Sequence, residues 1–225
     1  MKIVLSLGGS VLMSDFPKCN KMRAFAEEVE LISNEHDVFV VVGGGKIARD
    51  YIQAARASGA NNTLCDSIGI EVTRLNAMLF STYIDSSPKE VPKTFERAVE
   101  LSKLWNVVVM GGTFPGHTTD ATAALLAEYV NADVMLNATS VNGVYSSDPK
   151  KDARALRYEK LTPEQLVEIV AKGELKAGSS NVLDLLAAKI IERSKIRTII
   201  FLGEPGNIIK VVKGEFKEIG TLIEP

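Results

Sequence analysis

Asp37-Val38-Phe39-Val40-Val41-Val42-Gly43-Gly44-Gly45-Lys46 is the stretch on which the fold turns. Val38–Val42 is apolar without alternation, so a strand here is covered on both faces. Three glycines end it, and a segment of helical period starts at Lys46. A doubly buried strand leading straight into a helix is the unit of a parallel sheet clad in helices. The unit recurs along the chain. Lys2–Leu7, Val107–Gly111, Val134–Ala138 and Thr198–Leu202 read as further strands. Lys21–Asn34, Lys46–Ala57, Gly69–Ser81, Lys93–Leu104, Asp120–Tyr129, Pro163–Lys172 and Val182–Ser194 read as helices. The expected architecture is α/β, a three-layer αβα sandwich with a mainly parallel central sheet.

A chain of 225 residues suffices for one such domain and buries about 70% of its unfolded surface. No linker rich in Ser, Gly or Pro and no repeat divides it, so residues 1–225 read as a single domain. Two lobes, about 1–135 and 136–225, are expected to meet near residue 135. Ser140–Glu159, polar and containing Asp148-Pro149, reads as an extended loop or hairpin. The 26 basic and 28 acidic residues balance to a net charge of -2, without the basic stripe of a nucleic-acid binder. Lys150-Lys151 is too short to count as one. Cys19 and Cys65 form no multi-bridge framework and no Cys-x-x-Cys pair, as expected of reduced thiols in the cytoplasm. The apolar start of the chain stops at Gly8-Gly9, too early for a signal peptide. No run approaches the 18 or so apolar residues of a membrane span.

The glycines carry the functional information. Gly8-Gly9-Ser10, Gly43-Gly44-Gly45 and Gly111-Gly112 each follow a strand. Ligands of open α/β sheets bind beyond the carboxyl ends of strands, where glycine lets backbone N–H groups reach phosphate oxygens and a helix N-terminus favours the anion. Three such clusters point to a multiply phosphorylated ligand. The loop is not a P-loop, because Ile47 follows Lys46 where a hydroxyl is required, and Gly-x-Gly-x-x-Gly is absent. No cysteine or serine stands in a nucleophile setting, and no His/Cys cluster has metal-ligand spacing. His36 reads as a surface residue. His117 lies in Gly112–Asp120, a loop rich in hydroxyls that ends at a helix start, with Thr119 or Asp120 as N-cap.

Phosphoryl transfer needs no covalent chemistry from the protein, only positioning and positive charge. Lys46 and Arg49, three residues apart on one helical face, supply charge beside the second glycine cluster.

In this order and spacing the motifs resemble the UMP kinase branch of the amino-acid-kinase family, its archaeal members more than its bacterial ones, over essentially the whole chain. Gly8-Gly9-Ser10 and Gly43-Gly44-Gly45-Lys46-x-x-Arg49 resemble the family's two phosphate loops. Asp66-x-x-Gly69 with Asn76-Ala77-Met78 resembles the segment that holds the acceptor ribose and builds a subunit contact. Gly111-Gly112-Thr113 through Thr118-Thr119-Asp120-Ala121 resembles the stretch around UMP, and Val141-Asn142-Gly143-Val144-Tyr145-x-x-Asp148-Pro149 the adenine and ribose segment. The resemblance implies the amino-acid-kinase fold, transfer of the γ-phosphoryl of ATP to UMP in pyrimidine synthesis, and Mg²⁺ held mainly through ATP phosphates and water. It also implies a homohexamer built from dimers. Gly44, Asp66, Phe114, Pro115, Gly116, His117, Thr118, Thr119 and Asp120 would contact UMP. Gly9, Ser10, Gly45, Arg49, Ser140, Tyr145 and Asp148 would contact ATP.

Two positions depart from the family. Its first-strand Lys, two residues before the glycine pair, is Ser6 here, and its usual Asp-Gly-Val-Tyr reads Asn142-Gly143. Lys46 or Arg49 is the expected replacement cation, with Lys176 behind them. Other acceptors on the same fold (carboxylate, carbamate, isopentenyl phosphate) and a non-catalytic nucleotide sensor are the competing readings. Ile70–Ile84 is open between a subunit interface and an interior helix.

Overall fold

A computed structural model describes residues 1–147, 149, 152, 154–174 and 182–225, with the backbone alone at 173 and 174. Asp148, the Lys150-Lys151 doublet and Lys176 lie outside the described residues.

One sheet of seven strands runs through the molecule in the order β3-β2-β1-β4-β6-β7-β5. β1 (Lys2–Leu7), β2 (Asp37–Val42), β3 (Val107–Met110), β4 (Val134–Thr139) and β6 (Thr198–Leu202) are mutually parallel. β7 (Gly220–Ile223) pairs antiparallel with β6, and β5 (Lys160–Leu161) runs parallel to β7. The sheet is therefore mainly parallel with a reversed edge.

Alternate residues of each inner strand feed two cores. Ile3, Leu5 and Leu7 of β1 pack with α2 (Asn20–Ser33) through Phe25 and Val29. The short α1 (Gly9–Leu12) and α9 (Asn207–Val212) join the same side, as does Phe80 of α4 (Asn62–Ser81). Val4 on the opposite face of β1 belongs to the second core, with α5 (Phe95–Ser102), α6 (Thr119–Tyr129), α7 (Pro163–Glu174) and α8 (Leu185–Ser194). Helices on both faces make the three layers. α3 (Gly45–Ala57) lies outside, against α4, with only Ala48 buried.

Differences from the sequence reading have local causes. α4 begins two turns earlier than Gly69, because Asn61 caps it by accepting from Leu64 N at 2.9 Å. Its first turns bury only Cys65 and so carry no apolar stripe. α8 begins at Leu185, capped by Asp184, not at Val182. α1, α9, β5 and β7 have two to six residues each, too few to show a period. Within Ser140–Glu159 the hairpin form is realised: Tyr145 and Arg157 make an antiparallel bridge, and Tyr158 N donates to Val144 O at 2.9 Å.

Candidate active site

The five parallel strands end on one edge, and chain order reverses there beside β1: its crossover leads to β2 on one flank, while β4 lies on the other. Crevices at such reversals accept ligands. Gly8 N donates to Ala138 O at the end of β4, and Gly203 N, just after β6, donates to Thr139 O at 2.7 Å. The strand ends are stitched into one rim.

The first two glycine loops meet on this rim, backbone against backbone. A Cβ on Gly9 would stand 2.1 Å from Gly45 N and 2.6 Å from Gly43 O. Gly45 also has φ +63°, the left-handed region that glycine enters without strain. Asn76 of α4 steadies the second loop, donating from Nδ2 to Gly43 O at 3.0 Å and Gly44 O at 3.3 Å.

The third cluster rests on the same helix. Gly112 N donates to Thr73 Oγ1 at 2.7 Å, while a Cβ on Gly111 would lie 2.6 Å from that oxygen. Arg74, its side chain only 15% exposed, donates from Nε to Gly112 O and from Nη2 to Thr113 O, and pairs with Glu71. The loop then turns outward. Phe114 is exposed, with its ring centroid 6.2 Å from that of His117. Gly116 N donates to Asp66 Oδ2 at 2.9 Å. The N-cap of α6 is Thr118, not Thr119 or Asp120: its Oγ1 accepts from Ala121 N at 3.0 Å. Thr118 wins because its hydroxyl proton also finds an acceptor, donating to Asp184 Oδ2.

Asp120 occupies the first turn of α6, half-buried, and accepts from Ser6 Oγ at 2.9 Å. Burial pushes its carboxyl up to about 6; the Asp184 carboxylate adds to the rise and the Ser6 hydrogen bond opposes it. Beside Ser6 across the sheet stands Asn137 of β4, whose buried Nδ2 has no partner among the described residues. Neutral polar groups, Ser6 and Asn137, thus stand beside Asp120 at this first-strand position.

The two expected cations differ. Lys46 Nζ pairs with Asp50 at 2.6 Å, and its side chain is 80% exposed. Arg49, on the same helix, is exposed and makes no ion pair or hydrogen bond among the described residues, leaving its guanidinium available to a phosphate. On the β4 side Ser10 and Ser140 are exposed at the rim. Tyr145 donates to Asn142 Oδ1 at 2.5 Å, so this amide braces the ring. Arg157 ties that hairpin to the turn before β7, donating to Gly220 O at 2.6 Å and Lys217 O at 2.7 Å.

Among the described residues no three His, Cys, Asp or Glu gather to hold a metal ion. Both oxygens of Asp184 accept hydrogen bonds, from Thr118 and from Ala187 N. This donor set fits a cation carried by substrate phosphates and water, as Mg²⁺ usually is, better than one caged by the protein.

Gly9, Ser10, Gly44, Gly45, Arg49, Asp66, Ser140, Tyr145 and the loop Phe114–Asp120 all lie on elements that reach this rim. Thr73, Arg74 and Asp184 were not anticipated as site residues, since each acts through a contact far along the chain. Ser6 stood out in the sequence only as a departure from the family's first-strand Lys; its bond to Asp120, 114 residues along the chain, was not anticipated.

A model of the amino acid kinase family matches residues 1–202. The uridylate kinase of Archaeoglobus fulgidus is 61% identical over 99% of this chain and 100% of its own length. That of Thermococcus onnurineus is 48% identical over 100% of both. A crystal structure of the Archaeoglobus fulgidus uridylate kinase superposes with a TM-score of 0.90 at 60% identity, covering 99% of this chain and 100% of that one.

Proposed function

The chain belongs to the amino acid kinase family, and on that premise we propose that it transfers the γ-phosphoryl of ATP to UMP, giving UDP and ADP in pyrimidine nucleotide synthesis. The contact of Gly9 with Gly43 and Gly45 carries the reading, because it brings two phosphate-binding loops to one point of the rim. UMP lies on Gly44, Asp66 and Phe114–Asp120. ATP lies on Gly9, Ser10, Gly45, Arg49, Ser140 and Tyr145. Asp66 spends one oxygen on Gly116 N and keeps the other for a ribose hydroxyl. Residues 1–135 then form the acceptor lobe and 136–225 the ATP lobe.

The acceptor is mostly dianionic at neutral pH, its second pKa being near 6, so it attacks without a general base. The obstacle is repulsion between two polyanions, offset by main-chain N–H groups, helix N-termini and the Arg49 guanidinium. Mg²⁺ carried by ATP supplies further neutralisation when bound. The deciding experiment is a coupled ADP-release assay. UMP should exceed glutamate, aspartate, carbamate and isopentenyl phosphate by orders of magnitude; a match by any of these would overturn the assignment.

Arg49→Ala removes one charge-assisted contact, worth about 1.5–3 kcal/mol. The expected result is a fall in kcat/KM of roughly ten- to a hundredfold with Tm little changed. Full activity would move the catalytic role elsewhere.

No helix among the described residues is long and apolar enough to cross a membrane, and both cysteines are buried and free, in keeping with a cytoplasmic enzyme. Ile70–Ile84 proves two-faced. Ile70, Ala77 and Phe80 of α4 are interior, while Leu75 and Met78 are 63% and 50% exposed. Leu75 borders a groove of about 790 Å³ with Met13, Phe16, Ile47, Val72 and Leu79. An exposed apolar surface of this kind marks an interaction site, and its occupant is a second copy in a homohexamer built from dimers. Leu75→Glu should shift the sedimentation coefficient toward smaller species. An unaltered mass would place the interface on another face.

A further inference from the structure

The acceptor loop between β3 and α6 is tethered at three places, and the tethers differ in origin. Arg74 holds its start through Gly112 O and Thr113 O, and Asp66 holds its middle through Gly116 N; both come from α4 in the acceptor lobe. The third comes from the ATP lobe, where Asp184 Oδ2 accepts the hydroxyl proton of Thr118. The same carboxylate caps α8 through Oδ1, which accepts from Ala187 N at 3.0 Å. Thr118 in turn caps α6, accepting from Ala121 N at 3.0 Å. Two helix caps are therefore wired in series across the cleft. Both helices, of 11 and 10 residues, precede strands that end on the binding rim, so their N-termini open onto the same cleft.

We propose that Asp184 is a positioning residue for phosphoryl transfer, locking the acceptor loop to the ATP lobe through the Thr118 hydroxyl. Ordinary capping explains the Ala187 bond alone. A serine or asparagine would serve for that, whereas the second oxygen has no capping task and is aimed at the other lobe. Asp184 touches no reacting atom. It fixes where the first turn of α6 stands, and with it Thr119 and Asp120, relative to the nucleotide in the other lobe. Misplacement of such a turn by about 1 Å is enough to cost two orders of magnitude in rate. The inference rests on the acceptor-loop reading above.

The decisive variant is Asp184→Ser, whose hydroxyl still caps α8 but is too short to reach Thr118. The expected outcome is a Tm close to that of the parent and a KM for UMP raised about tenfold or more, with the KM for ATP within about twofold. In a double-mutant cycle with Thr118→Ala, the second change should add little to the first, since both remove one link. Parental kinetics in Asp184→Ser, equal losses on both substrates that track Tm, or full additivity would each overturn the proposal. Amide hydrogen exchange over 113–122, followed without substrate, should quicken in Asp184→Ser, and unchanged exchange would also overturn it. If the parent protein releases no ADP with UMP, the assigned acceptor is at fault, and the exchange result still decides the role of Asp184.

Discussion

Gly9→Ala is expected to abolish phosphoryl transfer, lowering kcat/KM by at least about a hundredfold. One methyl group is rarely so costly. Here the added carbon would stand 2.1 Å from Gly45 N and 2.6 Å from the carbonyl of Gly43. The obstruction is backbone on both counts, so no side chain can swing aside. The second loop cannot retreat easily either, because Asn76 holds the carbonyls of Gly43 and Gly44. The two loops must therefore part by more than an ångström, and a displacement of about 1 Å in a positioning group already costs about 10²-fold. Forcing a methyl into packed structure also costs about 1–3 kcal/mol, so Tm should fall by several degrees. Gly59→Ala, past the exposed end of α3, is the control: its φ of +90° strains an alanine, yet a Cβ there meets nothing within 4 Å, so only a small loss of Tm and near-parental kinetics are expected. Kinetics and thermal melts on both variants check the point. Gly9→Ala with near-parental kcat/KM would mean that the contact between the loops does not position the phosphates.

How much of this was legible beforehand depends on the range of each contact. Val38–Val42 and its sister strands announced themselves, since strands buried on both faces carry unbroken apolar runs and glycines punctuate their ends. That the glycine loops touch was not legible, because residues 9 and 45 meet only once the parallel pairing of β1 with β2 sets their register. The N-cap of α6 illustrates a second limit. Thr118, Thr119 and Asp120 are all good capping residues, and a carboxylate from residue 184 breaks the tie. By contrast, the pairing of Lys46 with Asp50 was open to view: opposite charges four apart on a helix are neighbours. That pairing occupies Lys46 and leaves Arg49 the less encumbered of the two expected cations. The extra turns of α4 were hidden because residues 61–68 bury only Cys65 and so carry no apolar stripe.

Asp120 sets stability against function, and Asp120→Asn should separate the two. Burial pushes this carboxyl up to about 6, helped by Asp184 and opposed by Ser6. An acid whose pKa is higher in the folded chain binds its proton more tightly there. Stability is then greatest where the group is protonated in both states, falls as pH rises from the ordinary carboxylate value through about 6, and stays lower above it. At pH 8 the charge costs of order 1–3 kcal/mol, the lower end allowing for solvent screening at the half-open mouth. Asparagine removes the charge and keeps an oxygen for the Ser6 hydroxyl, so Tm at pH 8 should rise by roughly 3 °C or more. The gain should vanish near pH 4. A site for two polyanions that keeps a destabilising carboxylate points to a task for the charge. The task expected of it is to orient the cations that neutralise the phosphates. The variant should therefore lose about a hundredfold or more in kcat/KM. The pH profile supplies the stringent check. The UMP phosphate also titrates near 6, so the acid limb of log kcat/KM in the parent should carry two ionisations and approach a slope of 2. In Asp120→Asn only the phosphate remains, and the slope should drop to 1. A parent slope of 1, or a variant that is no more stable at pH 8, would show that Asp120 is not held ionised at the expense of the fold.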